Sequence, residues 1–284
     1  MKTIGFIDYY LNEWHANNYP KWIAESPAGK GGFAVSYAWG EKAAPDGVST
    51  KAWCEKYGVT PCGSMEEVCE KSDYLIILSP DNSEKHLEYA QKVLPFGKRT
   101  YIDKTFTPAL GEAKKIFALA EQYHTPVCSS SALRFAEEIV SYKGDVRGLV
   151  TLGSGPSFDT YAVHQFEIIA RLMGVGAEKL MAVKNAANVS LLIQYKDGRN
   201  AAYNQFIGAN VPFAVSIETG NSSDVCYRSI GSDFFKSFIN ALIEFFDTGK
   251  VLAEKEDTLS VIAMIEAGKK ALKAPFEWIP IGAI

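Results

Sequence analysis

Residues 78–112 read LSPDNSEKHLEYAQKVLPFGKRTYIDKTFTPALGE, and the order of elements in this stretch decides the fold. An apolar run over 74–78 ends at Ser79-Pro80. Residues 83–93 then repeat apolar positions at helical spacing, and Gly97 follows, where a residue free to turn left-handed closes a helix. A second apolar run, 99–103, delivers Asp103-Lys104, and 110–123 returns to helical spacing. Strand, helix, strand and helix at these lengths imply parallel pairing, because each strand must cross back over the sheet to meet the next.

Working outward, strands are expected at 3–8, 33–39 and near Val127, with helices over 50–57 and 64–69. Ser64 stands three residues before Glu67, the spacing of a capping box, and Gly58 follows the preceding helix. Residues 1–128 therefore read as a Rossmann-like domain with a doubly wound parallel sheet. Beyond Cys128 the pattern changes. Strand-like runs at 148–152, 190–195, 201–207, 214–218 and 224–229 follow one another, and YKDGRNAAY (195–203) carries Asp197-Gly198 as a hairpin tip. Helical patterns over 232–248 and 255–273 close the chain. Residues 129–284 are expected to form an α+β domain on a mainly antiparallel sheet, giving an α/β protein of two domains.

The chain has 284 residues, 47% of them hydrophobic and 22% charged, enough for a sizeable core. A formal net charge of −4 gives no electrostatic reason to bind nucleic acid or an anionic membrane. No apolar run approaches the roughly 20 residues of a membrane helix, and the N-terminus lacks a signal-peptide pattern. The five cysteines are scattered and never form CxxC, which fits reduced thiols in a cytoplasmic protein. His15 and His124 have no ligand-spaced partners, so no metal is expected. AGKGG (28–32) precedes a strand and lacks the Ser/Thr of a P-loop, so it reads as a connection; GSGPS (153–157) reads as a turn.

Two places carry candidate chemistry. Lys104 ends a strand, where ligands sit in open α/β sheets, and a lysine there can hold a hydroxyl or relay a proton. Taken alone, an Asp-Lys pair reads as a surface lysine after an edge strand. In SFDTYAVHQFEIIARLMG (157–174), Val163, Phe166, Ile169, Ala170 and Met173 recur at helical spacing, which puts His164 and Glu167 near one another. Taken alone, His164 reads as a packed histidine in a helix capped by Asp159 or Thr160.

The surrounding motifs change that balance. Ser79-Pro80 ending a strand, His86 on the helix, Gly97-Lys98 before the next strand and Asp103-Lys104-Thr105 after it resemble the Gfo/Idh/MocA oxidoreductase family. In that family the corresponding motif is Glu-Lys-Pro. SSSALRFAEEI and FFDTGKVLAEKEDTLSVIAMIEAGKKAL are also similar to it, so the resemblance covers most of the chain. It implies an NAD(P)-dependent enzyme, with NAD or NADP as cofactor, moving hydride to or from a sugar- or polyol-like hydroxyl or carbonyl. Lys104 matches the family's catalytic lysine and His164 its catalytic histidine, with Tyr161 assisting. The family's aspartate four residues before that histidine is Thr160 here. Asp8, Tyr9, Tyr10, Trp39, Ser79, Pro80, His86, Asp103 and Lys104 are the positions expected along the cofactor. The resemblance further implies a homodimer or a dimer of dimers built across the second domain's sheet, and a small carbohydrate-like substrate.

The opening stretch IGFIDYYLNEW (4–14) departs from this pattern. A dinucleotide fold usually places glycines in this turn, and here it carries Asp8, Tyr10 and Glu13. An ionised carboxylate about 4 Å from a diphosphate charge costs on the order of 4 kcal/mol at an effective dielectric of about 20. Inward acids would therefore weaken or abolish binding, and acids turned outward would spare it. The competing reading is a non-catalytic family member, sugar-binding or regulatory, that has lost the dinucleotide.

Overall fold

The structure, a computed structural model, describes residues 1–27, 29–30, 32–220 and 225–284. Of the expected connection at 28–32 and strand at 224–229, Ala28, Gly31 and Asp224 lie outside the described residues. In chain order the first half forms β1 (Lys2–Asp8), α1 (Trp14–Glu25), β2 (Phe33–Gly40), α2 (Thr50–Tyr57), β3 (Thr60–Pro61) and α3 (Met65–Lys71). It continues with β4 (Tyr74–Ile77), α4 (His86–Val93), β5 (Thr100–Ile102), α5 (Leu110–Gln122) and β6 (Val127–Cys128). The second half forms α6 (Glu137–Val140), β7 (Val146–Gly155), α7 (Phe158–Met173), β8 (Ala177–Lys184), β9 (Asn188–Tyr195) and β10 (Asn200–Ile207). It ends with β11 (Ala214–Thr219), β12 (Val225–Ser229), α8 (Phe234–Thr248), α9 (Lys255–Ala271) and β13 (Ile279–Pro280). No helix among the described residues is long and apolar enough to cross a membrane.

The first six strands make one parallel sheet in the order β3-β2-β1-β4-β5-β6. Its central strands read as continuous apolar runs because helices cover both faces. Gly5 shows how closely α3 is pressed on β1: a Cβ there would stand 2.4 Å from both Val68 Cγ1 and Ser72 Oγ. The strand order reverses between β1 and β4, so the crevice at their C-terminal ends is where such folds seat a ligand.

The second sheet runs β12-β11-β7-β10-β9-β8-β13, with β7 and β10 parallel and its other pairs antiparallel. The Asp197-Gly198 tip joins β9 to β10, with Gly198 at a φ of +90° that suits glycine. α7 and α9 cover one face; at Gly268 of α9 a Cβ would lie 2.6 Å from the Phe158 ring of α7. The sequence reading omits β8, whose alternation is masked by polar residues at both ends. It also omits the two-residue edge strands β3 and β13, too short to show a period.

The chain divides into two compact units, one of Met1–Ser130 with Lys236–Glu254, the other of Ser131–Phe235 with Lys255–Ile284. Most of α8, grouped by sequence order with the second half, thus packs in the first unit. Its apolar face supplies the reason: Phe238 lies 5.8 Å from the Tyr19 ring and 5.5 Å from Tyr101, and Phe246 stacks on Tyr74 at 5.0 Å. Arg99 then donates to the Phe246 and Asp247 carbonyls, capping the helix's negative end with a cation.

Candidate functional site

In the first unit, β1 ends at Asp8, which is 1% exposed. Its Oδ1 accepts from Tyr9 N at 2.7 Å, Ser79 N at 3.0 Å and Ser79 Oγ at 3.1 Å, so the ends of β1 and β4 are tied through one oxygen. Asp8 Oδ2 is buried and has no hydrogen-bond partner among the described residues. Ser79 sits at a φ of +58°, a left-handed conformation unfavourable to a residue with a side chain. Backbone of this kind is held at functional crevices by the structure around it. Burial pushes the Asp8 carboxyl up to about 8, and the bonds from Ser79 and Tyr9 only partly offset it.

Five residues on, Glu13 caps α1. Its carboxyl oxygens accept from His15 N at 2.7 Å and from Ala16 N. These amides are the positive helix end that would otherwise receive an external anion. Burial, and then the neighbouring Asp8 charge, hold Glu13 well above the usual carboxylate range. The two acids are thus inward, the arrangement expected to repel a diphosphate, yet burial favours their protonated forms, which carry no charge. A protonated acid lacks the charge that repels a diphosphate, and Asp8 Oδ2 is a buried polar atom without a hydrogen-bond partner among the described residues.

Tyr9 and Tyr10 follow Asp8 with their rings 6.0 Å apart, and Lys42 Nζ lies 4.0 Å from the Tyr9 ring centroid. Burial, with Asp81, Asp8 and Glu13 nearby, raises the Tyr10 phenol. Trp39 on β2 meets the Tyr89 ring edge-on at 6.0 Å. Glu41, just past β2, accepts from Tyr89 Oη at 2.6 Å and Lys85 Nζ at 3.0 Å. Pro80 is half-buried beside Ser79.

His86, expected along the cofactor, is enclosed by the chain. It is 0% exposed, with Leu78 O 2.6 Å from Nε2 and Phe106 O 2.8 Å from Nδ1. Burial lowers its pKa, the two carbonyl bonds notwithstanding. The neutral ring has one N–H, so it donates to one of these two carbonyls while lodged between the end of β4 and the loop after β5.

At the end of β5, Asp103 is fully buried among donors. Oδ2 meets His15 Nδ1; Oδ1 accepts from Lys104 N at 2.8 Å and Tyr101 Oη at 3.2 Å. Tyr19 Oη lies 3.3 Å from the same His15 nitrogen. Burial opposes ionisation of Asp103, but His15 and Lys104 outweigh it and hold the carboxyl below its ordinary value. Asp103 therefore stays anionic and anchors the main chain of the half-buried Lys104. His15, read from the sequence as partnerless, belongs to this network. No spacing signal could have found a partner 88 positions away.

The second unit holds His164 and Tyr161 on α7, their rings edge-to-face at 5.0 Å. His164 Nδ1 is 2.7 Å from Ser131 Oγ, a residue missed in the sequence reading, and the Phe213 ring is 6.0 Å away. Gly153 and Gly155, read as parts of a turn, belong to β7. A Cβ at Gly155 would stand 2.4 Å from Tyr161 Cγ, and one at Gly153 2.4 Å from Phe213 Cδ1, so both glycines make room for aromatic rings. Glu167 takes no part; it is buried against Arg134, which also binds Asp257. Neither Asp159 nor Thr160 caps α7. Ser157 does so, accepting from Thr160 N, while Asp159 pairs with Lys269 at 3.3 Å.

Residues 43–130 match the family described as oxidoreductase family, NAD-binding Rossmann fold, Gfo/Idh/MocA. A stretch of 71 residues, 25% of this chain, is 34% identical to the uncharacterized oxidoreductase YhhX of Escherichia coli (strain K12). That match spans only 21% of the relative's length. Among solved structures, scyllo-inositol dehydrogenase from Lactobacillus casei is similar over 99% of this chain and 98% of its own, with a TM-score of 0.79 and 13% identity. An oxidoreductase from Agrobacterium radiobacter, in complex with NAD+, L-tartaric acid and magnesium, covers 99% and 98% with a TM-score of 0.78 and 13% identity. Likeness at this identity speaks for the fold. Residues 43–130 thus match the model of the Gfo/Idh/MocA oxidoreductase family, and the whole chain shares the fold of the inositol dehydrogenase.

Proposed function

We propose that the protein is an NAD(P)-dependent oxidoreductase acting on a hydroxyl or carbonyl of a sugar- or polyol-like molecule. The observation that carries this reading is Lys104, anchored by the anionic Asp103 at the C-terminal end of the parallel sheet. Support also comes from the family match and from the fold shared with an inositol dehydrogenase. When bound, NAD(P) supplies the hydride acceptor or donor. Lys104 holds the substrate oxygen by hydrogen bond, and His164, oriented through Nδ1 by Ser131, takes up or returns the hydroxyl proton. Tyr161, whose ring lies 5.0 Å from that of His164, supplies the assisting hydroxyl. Under this reading the first unit is the nucleotide-binding domain and the second serves substrate binding and dimerisation. Five free thiols, four of them buried, suit the reducing cytoplasm. Titration with NADH and NADPH, followed by absorbance and fluorescence, tests the reading, with turnover then screened on inositols and sugars. Saturable binding of either nucleotide is expected; absence of binding would remove the proposal.

A further inference from the structure

The turn after β1 holds one hydrogen-bonding capacity in reserve. Asp8 Oδ1 accepts all three donors that reach this carboxyl, and the buried Oδ2 has no partner among the described residues. Buried polar atoms are rarely left so, and a neutral carboxyl needs an acceptor for its O–H. With Oδ1 satisfied as an acceptor, the proton belongs on Oδ2. Beside it, the Glu13 side chain occupies the first amides of the twelve-residue helix α1, where an external anion would be held. Both acids stand where the strand order reverses. We propose that Asp8 binds the dinucleotide as a carboxylic acid, donating from Oδ2 to the diphosphate, and that Glu13 yields the α1 amides to the same group. This rests on the dinucleotide reading above and replaces the job that glycines do in such turns.

The groups around the pair favour the protonated acid. Asp103 from β5 is anionic and adds a like charge; Tyr10 in the turn, Tyr89 from α4 and Tyr19 from α1 carry neutral phenols. His15 is turned to Asp103, and Lys104 lies next to that aspartate. Lys42 lies over the Tyr9 ring at 4.0 Å, and Lys85 is paired with Glu41 and Glu88 at 3.0 and 3.1 Å. Raising the pH through about 8 removes the Asp8 proton and places a carboxylate against the ligand.

The test is fluorescence titration of the full chain with NADH and with NADPH from pH 6 to 10. Wild-type affinity is expected to hold near pH 6–7 and to fall above pH 8, approaching about tenfold per pH unit for one linked proton. Asp8→Asn keeps a carbonyl for the three donors and puts an N–H at the unpartnered position, so it should bind with a flattened pH profile. Asp8→Ala should lose about tenfold to a hundredfold, the scale of a hydrogen bond to a charged group. Glu13→Gln should bind at least as tightly as wild type. Far-ultraviolet circular dichroism checks that each variant folds, and the wild-type profile decides the matter if one does not. A flat wild-type profile, or Asp8→Ala binding like wild type, would overturn the proposal while leaving dinucleotide binding in place. No binding of either nucleotide by any of the proteins at any pH would overturn the dinucleotide reading, and this inference with it.

Discussion

Three groups converge on Asp103, and the result is a lysine whose main-chain N–H is fixed. That is a suitable mounting for a group that must hold a hydroxyl oxygen. Lys104→Met and His164→Ala should each lower turnover by about 10²- to 10⁴-fold, the usual scale for acid–base residues. Melting temperatures should change little, because neither side chain is fully buried. Equal activity in wild type and both variants would return these residues to the surface-lysine and packed-histidine readings. Asp8 makes a second prediction, on stability. Its folded pKa, about 8, lies above the 3.8 of an ordinary aspartate, so between those values the native state binds more protons than the unfolded chain. Stability then falls as pH rises through that window and is fullest below it. Glu13 acts in the same direction. Urea unfolding at pH 5, 7 and 9 should show a shallower decline for Asp8→Asn than for wild type, and an unchanged slope would place the linkage elsewhere.

Among the elements, α8 follows the second sheet's strands in the chain and yet packs mostly in the first unit. Its buried Phe238, Phe245 and Phe246 face the first unit, and Phe238 closes the aromatic cluster with Tyr19 and Tyr101 beside Asp103. Truncation there removes a ring from a close-packed site that cannot collapse freely. Phe238→Ala should cost about 3–5 kcal/mol, read as a lower urea midpoint. A loss under 1 kcal/mol would mean that α8 is held by Arg99 and Phe246 alone. The α7 helix shows the opposite case, since its cap, its apolar stripe and its Gly174 stop all lie within or beside its own sequence.

At the scale of the whole molecule, one face of the second sheet carries exposed apolar side chains. Met181, Leu192, Ala202, Val150, Ser216 and Tyr227 stand opposite one another in register across β8, β9, β10, β7, β11 and β12. Leu192 is 50% exposed, Val150 44% and Tyr227 66%. A row of apolar side chains on a sheet with one helix-covered face is a surface suited to a second copy of itself. We expect a homodimer or a dimer of dimers by light scattering at micromolar concentration. Leu192→Lys should shift it toward the monomer, and a wild-type monomer would remove the expectation.

What the sequence determined by itself was local. Helices α2, α5 and α7, the hairpin at Gly198 and the parallel order of the first half were legible because period, caps and turn residues act over four residues or fewer. The positions of Lys104 and His164 were legible through the motifs around them. Only the tertiary structure decided the rest. It brought Asp8 to Ser79 across 71 positions and His15 to Asp103 across 88, drew α8 into the first unit, and enclosed His86 between two main-chain carbonyls. It also decided the charge of the turn, because the protonation of Asp8 and Glu13 depends on how completely the surrounding chain excludes water, which no run of neighbouring residues encodes.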